Sequence, residues 1–161
     1  MKTLDFNASY EVWQFDELDE STRRLVDRAI KACDNSYSPY SHFSVGACLR
    51  LEDGTEIIGA NQENAAYPSG LCAERSAIFA SQAQYPDKAI VELAIAARNT
   101  EGELTKVPTA PCGACRQVIL EIEDRYQKPV RIILYGSEAT YIINSIKDIL
   151  PLCFIGSSLQ A

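Results

Sequence analysis

From Leu18 the apolar positions Leu18, Leu25, Val26, Ala29, Ile30 and Cys33 recur at helical spacing, with Arg23, Arg24, Asp27, Arg28 and Lys31 between them. This pattern predicts an amphipathic helix that ends near Asp34 and Asn35. Residues 36–43 carry Ser, Tyr, Pro and His and read as a loop, because Pro39 disfavours helix for the residue before it. Two runs with strand character follow, over 45–51 and 55–60. Between them stands Glu52-Asp53-Gly54, a hairpin signal resting on the positive φ that Gly tolerates. After a polar loop over 61–70, helical spacing returns over 71–84 with Leu71, Ala73, Ala77, Ile78 and Ala80. Residues 90–97 read as a buried strand, 112–123 as a helix opened by the breakers Pro108 and Pro111, and 130–135 as a further buried strand. A last strand over 140–143 and a short helix over 145–150 complete the pattern.

Strand, helix, strand alternation predicts an α/β sheet protein. Residues 1–17 are polar with scattered aromatics and no period, so they read as an N-terminal extension; residues 18–161 form a single domain. No internal repeat or low-complexity tract interrupts it.

Composition narrows the function. The chain has 161 residues, is 47% hydrophobic, and carries 15 Lys and Arg against 22 Asp and Glu, a formal net charge of −7. That surface repels phosphate backbones and anionic lipid, so nucleic acid and membranes are poor partners and a small neutral ligand is favoured. The N-terminus has neither the basic start nor the apolar run of a signal peptide, which predicts a cytoplasmic protein with reduced thiols. Six cysteines, at 33, 48, 72, 112, 115 and 153, then point to metal binding or catalysis more than to disulfides.

Cys72-Ala73-Glu74-Arg75 and Pro111-Cys112-Gly113-Ala114-Cys115-Arg116 each follow breakers and open a helical pattern. Their cysteines therefore fall in first helical turns, where unsatisfied N–H groups and the helix dipole favour thiolate. Three thiolates suit a catalytic zinc, whose fourth position is left to water, and Glu74 stands two residues after the first thiolate as a proton carrier. Cys33 on the apolar helix face and Cys48 inside a strand read as core. Cys112-Gly-Ala-Cys115 alone also fits a thiol oxidoreductase, which leaves Cys72-Ala-Glu74 unexplained. A closed structural zinc module needs a fourth protein ligand, for which Cys48 and His42 are the candidates.

With these motifs, Tyr37-Ser-Pro-Tyr-Ser-His-Phe43, Asn61-Gln-Glu-Asn-Ala65, Tyr67-Pro-Ser-Gly70 and Leu150-Pro151 ahead of Phe154, the sequence resembles the cytidine deaminases, in particular their small homotetrameric three-cysteine branch. The resemblance covers about residues 25–154. It implies a three-layer α/β/α fold on a five-stranded mixed sheet, and zinc-dependent deamination of cytidine and 2'-deoxycytidine in the cytoplasm. Cys72, Cys112 and Cys115 are the implied ligands and Glu74 the catalytic acid and base. Arg75, and with it Arg116, is expected to neutralise thiolate charge. Asn61 and Glu63 are expected on the ribose and Phe43 against the base. Ala65, Tyr67 and Ala73 join the substrate site, and Phe154 is expected to stack in a neighbouring subunit of a homotetramer. Gln62 departs from the apolar residue usual there. A nucleoside-antibiotic deaminase of the blasticidin type shares the three cysteines and the glutamate and is the alternative substrate class.

Overall fold

A computed structural model describes residues 1–159. α1 (Glu20–Ala32) opens on Asp19, whose carboxylate accepts from the Thr22 N–H at 2.9 Å and from its hydroxyl at 2.6 Å, and it buries Leu25, Val26, Ala29 and Ala32. The hairpin is β2 (Ser44–Leu51) and β3 (Glu56–Ala60), turned at Gly54 with φ 86°. α2 (Ala73–Gln84), β4 (Ile90–Arg98), α3 (Gly113–Tyr126), β5 (Arg131–Tyr135) and β6 (Thr140–Ile143) follow.

The sheet has six strands where the sequence predicts five. The sixth, β1 (Glu11–Trp13), lies in the N-terminal segment and pairs antiparallel with β6 at the sheet edge, giving the order β1-β6-β5-β4-β2-β3. Among the strands of the described residues only β4 and β5 pair in parallel, joined by the α3 crossover. The short helix expected over 145–150 is a single 3-10 turn, Ile146–Ile149.

Alternation along the central strands divides the core. Ala47, Leu49 and Leu51 of β2, with Leu93 and Ile95 of β4, pack with Ala77 and Ile78 of α2 and with Ile119 and Leu120 of α3. Cys48, Ala94, Ala96 and Ile133 face the other way, onto Leu25, Val26 and Ala29 of α1. The result is the three-layer α/β/α arrangement, and it depends on close approach at Gly59. A Cβ there would lie 2.4 Å from the Ala73 carbonyl oxygen and 2.5 Å from the Ala77 nitrogen, so the first turns of α2 rest directly on the β3 backbone.

Register then places the loops. Gly46 near the start of β2 pairs with Ala60 at the end of β3, and Ser44 pairs with Arg98 at the end of β4. The chain before β2, after β3 and after β4 therefore meets at one end of the sheet, where α2 and α3 begin.

Candidate active site

Cys72 and Cys112 are the N-cap residues of α2 and α3, both with extended backbone, and Cys115 lies buried in the first turn of α3. Two helix N-termini thus converge on one sulfur cluster. The Sγ atoms of Cys72 and Cys112 are 3.8 Å apart and those of Cys112 and Cys115 3.5 Å; all three lie within 4.8 Å of one another. The hydrogen bond from Cys115, followed by that from Arg75, pulls the Cys72 thiol down to about 5. Cys115, as the partner in that bond and buried, is pushed up. The Arg75 guanidinium donates to the Cys72 sulfur through Nη2 at 3.8 Å, and its Nε is buried without a protein partner.

Glu74, 4% exposed, sits between Cys72 and Arg75 in sequence. Burial pushes its carboxyl above the usual range, with the nearby Cys72 thiolate adding to the effect. Cys72 and Arg75 form the inner wall of an open cleft of about 530 Å³, and Asn61, Glu63 and Tyr67 line it farther out.

The outer wall is held by polar bonds. Glu63 Oε2 accepts from the Tyr40 N–H at 2.9 Å and the Ser41 N–H at 3.2 Å, and the Ser41 side chain, then these N–H groups, hold its carboxyl below the ordinary value. Asn61 Oδ1 accepts from Ser36 Oγ at 2.6 Å and from the Val45 N–H at 2.8 Å, while its Nδ2 donates to the Phe43 carbonyl at 2.9 Å. Gln62 pairs through its backbone with Leu71, one residue before Cys72, so the outer and inner walls are tied together.

A family model described as the cytidine and deoxycytidylate deaminase zinc-binding region matches residues 19–128, which span both cysteine motifs, the buried glutamate and both cleft walls. The chain belongs to that deaminase family. The cytidine deaminase of Halalkalibacterium halodurans is 45% identical over 98 residues, which cover 61% of this chain and 69% of that protein. The cytidine deaminase of Sporosarcina psychrophila is 46% identical over 98 residues, 61% of this chain and 67% of its own. Among solved structures, the cytidine deaminase of Burkholderia pseudomallei superposes with a TM-score of 0.70 at 34% identity, covering 81% of this chain and 97% of that one.

The deaminase's sulfur cluster fits the zinc that its family implies. In a tetrahedral site with bonds of about 2.3 Å, sulfurs stand roughly 3.8 Å apart, close to the two measured separations. Among the described residues no fourth His, Cys, Asp or Glu joins the cluster. Cys48 is fully buried in β2 facing α1, and His42 is exposed in the loop before β2, so neither closes the tetrahedron as a structural module requires.

Other expected residues are placed variously. Arg116 does not serve the sulfurs: its Nε donates to the Pro111 carbonyl at 2.9 Å and its Nη1 to the Ile149 carbonyl at 2.7 Å, so it ties the approach to α3 to the C-terminal turn. Ala73 is fully buried in the core and is not among the residues lining the cleft, and Ala65 is exposed in the loop. Phe43 is half-buried and contributes its carbonyl to Asn61. Phe154 is 57% exposed and is not among the residues lining its own chain's cleft. Tyr67, 76% exposed, packs edge-on against Tyr40 at the mouth. Ser36, Tyr40 and Ser41 were not singled out as site residues, though they anchor Asn61 and Glu63. Tyr40 and Ser41 lie inside the Tyr37–Phe43 block that carries the resemblance, and Pro39 favours a turn whose following N–H groups are free to meet a carboxylate.

Proposed function

We propose that this deaminase hydrolyses cytidine and 2'-deoxycytidine to uridine and 2'-deoxyuridine with release of ammonia, in pyrimidine salvage. The observation that carries the reading is buried Glu74 beside a three-sulfur cluster that no fourth protein ligand closes among the described residues, with Cys72 of that cluster lining the same cleft as Asn61 and Glu63.

Cys72, Cys112 and Cys115 are the residues that hold zinc. When bound, zinc supplies a water made acidic enough to give up a proton near neutral pH. Arg75 and the N-termini of α2 and α3 offset the charge of three thiolates, which otherwise exceeds that of the ion by one. Glu74 accepts one proton of the attacking water as oxygen bonds to C4 and passes it to N3, then takes the remaining proton from that oxygen and delivers it to the exocyclic amine as the C4–N bond breaks and the C4 carbonyl forms. One water is consumed and one ammonia leaves. Burial keeps the glutamate out of bulk water while it moves these protons. Asn61 and Glu63 hold the sugar hydroxyls, Tyr67 lines the cleft beside them, and Phe43 is assigned to the base.

Exposed Phe154, absent from the lining of its own cleft, supports a homotetramer in which it reaches a neighbour's site. Six unpaired cysteines support work in the cytoplasm, where thiols stay reduced. The test is ammonia release from cytidine, 2'-deoxycytidine, free cytosine and a blasticidin-type antibiotic. Both nucleosides should turn over, and cytosine, lacking any group for Asn61 and Glu63, should be at least ~100-fold poorer in kcat/KM. Turnover of the antibiotic alone would overturn the substrate assignment.

A further inference from the structure

We infer that Ser36 is a positioning residue that makes Asn61 a pure hydrogen-bond donor toward whatever occupies the cleft. The Val45 N–H can only donate and the Phe43 carbonyl can only accept, so their contacts at 2.8 and 2.9 Å fix which end of the Asn61 amide is oxygen and which is nitrogen. Val45 uses one lone pair of Oδ1. Ser36 Oγ, at 2.6 Å, uses the other. The carbonyl is then saturated, and the second N–H of Nδ2 is the one polar group of the amide left for a ligand.

The backbone around Ser36 makes this contact rigid. The Tyr37 N–H donates to the Asn61 carbonyl at 3.0 Å, the Glu63 N–H donates to the Tyr37 carbonyl at 2.8 Å, and Gln62 Nε2 donates to the Asn35 carbonyl at 3.1 Å. Residues 35–37 and 61–63 are thus zipped on both sides of Ser36. This gives Gln62, which replaces an expected apolar residue, a physical role. Glu63 is the complement. Its Oε2 is taken by two N–H groups and the Ser41 side chain lies against the same carboxylate, while Oε1 has no N–H partner and keeps acceptor capacity. Residues 61 and 63 lie two apart and both line the cleft. The outer wall therefore presents one donor and one acceptor, the pair that a sugar hydroxyl, able to accept from one and donate to the other, satisfies.

The inference deepens the nucleoside reading and rests on it for its kinetic test only. In Ser36→Ala the carbonyl regains an unfilled lone pair and the amide loses one anchor. KM for cytidine should rise about five-fold, the scale of one hydrogen bond, with kcat little changed. In an Asn61→Ala background the same substitution should add nothing. A second readout needs no substrate: the side-chain amide NMR resonances of Asn61, assigned by their loss in Asn61→Asp, should shift and exchange faster with water in Ser36→Ala. An unmoved amide signal, or an equal KM effect with and without Asn61, would overturn the assignment. A moved amide in a protein that never deaminates cytidine would uphold Ser36 and remove the nucleoside reading instead.

Discussion

Gly59 tests the link between packing and chemistry more sharply than any residue in the cleft itself. It sits in β3, away from the ligands, yet the helix that carries Glu74 and is capped by Cys72 rests on it. A Cβ at this position would meet the Ala73 oxygen at 2.4 Å, the Ala77 nitrogen at 2.5 Å and the Ala77 Cβ at 2.9 Å. Ordinary contact begins near 3.4 Å, so Gly59→Ala must drive α2 and β3 apart by about 1 Å. Two of the three obstructing atoms are backbone, and no rotamer change relieves them. Overpacking of this kind costs about 3 kcal/mol, which in a chain of this size lowers Tm by roughly 6–12 °C. The chemical effect is of similar size. Glu74 and Cys72 move with the helix while Cys112 and Cys115 stay on α3, and a misplacement of about 1 Å costs on the order of 100-fold in rate. The assay is kcat/KM for cytidine with zinc content and thermal melting measured on the same preparation. Gly156→Ala, whose added Cβ meets only the Asp124 carboxylate at 3.7 Å, is the matched control and should leave all three unchanged. A Gly59→Ala protein with wild-type rate and Tm would refute the claim that α2 is seated on bare backbone at this point.

Two further predictions concern buried polar groups. Glu123 is 4% exposed and accepts from the Val130 N–H, the Ile146 N–H, each at 2.9 Å, and from Ser145 Oγ at 2.7 Å. Glu123→Ala strands two buried donors and should cost about 3–5 kcal/mol in urea unfolding; a loss below about 1 kcal/mol contradicts this role. Cys48 is pushed up by burial from 9.0 to about 11, so the folded state holds this proton more tightly than the unfolded chain. Its contribution is complete below pH 9 and fades as pH rises toward 11, by about 3 kcal/mol at most. The alkaline decline in stability should therefore be shallower in Cys48→Ala than in wild type, and parallel curves would show that the thiol does not titrate as its burial implies.

Sequence reasoning reached the parts of this molecule that depend on local order. Breakers ahead of helical periodicity put Cys72 and Cys112 at helix starts, and the structure has both as N-caps. Two strand-like runs around the Glu52-Asp53-Gly54 turn marked the hairpin, and apolar runs marked the two parallel strands at the centre. β1 left no such trace. It is three residues long, exposed on every one, and held by pairing with β6 more than a hundred positions away, as Glu11 opposite Ile142 shows. An edge strand with little to bury carries no alternating pattern to detect. Arg116 illustrates a second limit: its spacing from Cys112 and Cys115 suits a thiolate partner, but a long guanidinium takes the acceptors that tertiary packing supplies, here the carbonyls of Pro111 and Ile149. The supports of Asn61 and Glu63 were hidden for the same reason, since Ser36 and Val45 come to Asn61 only once β2 and β3 are paired.

The central claim is that buried Glu74 carries the protons of a hydrolytic deamination at a three-cysteine zinc site. The most direct measurement is ammonia release from cytidine by wild type and Glu74→Gln, with zinc quantified in both. Wild type should turn over cytidine; Glu74→Gln should keep about one zinc per chain and lose nearly all turnover, because the amide preserves shape and cannot accept and return a proton. Comparable turnover by the variant, or a wild type that holds zinc and releases no ammonia from cytidine, would contradict the claim.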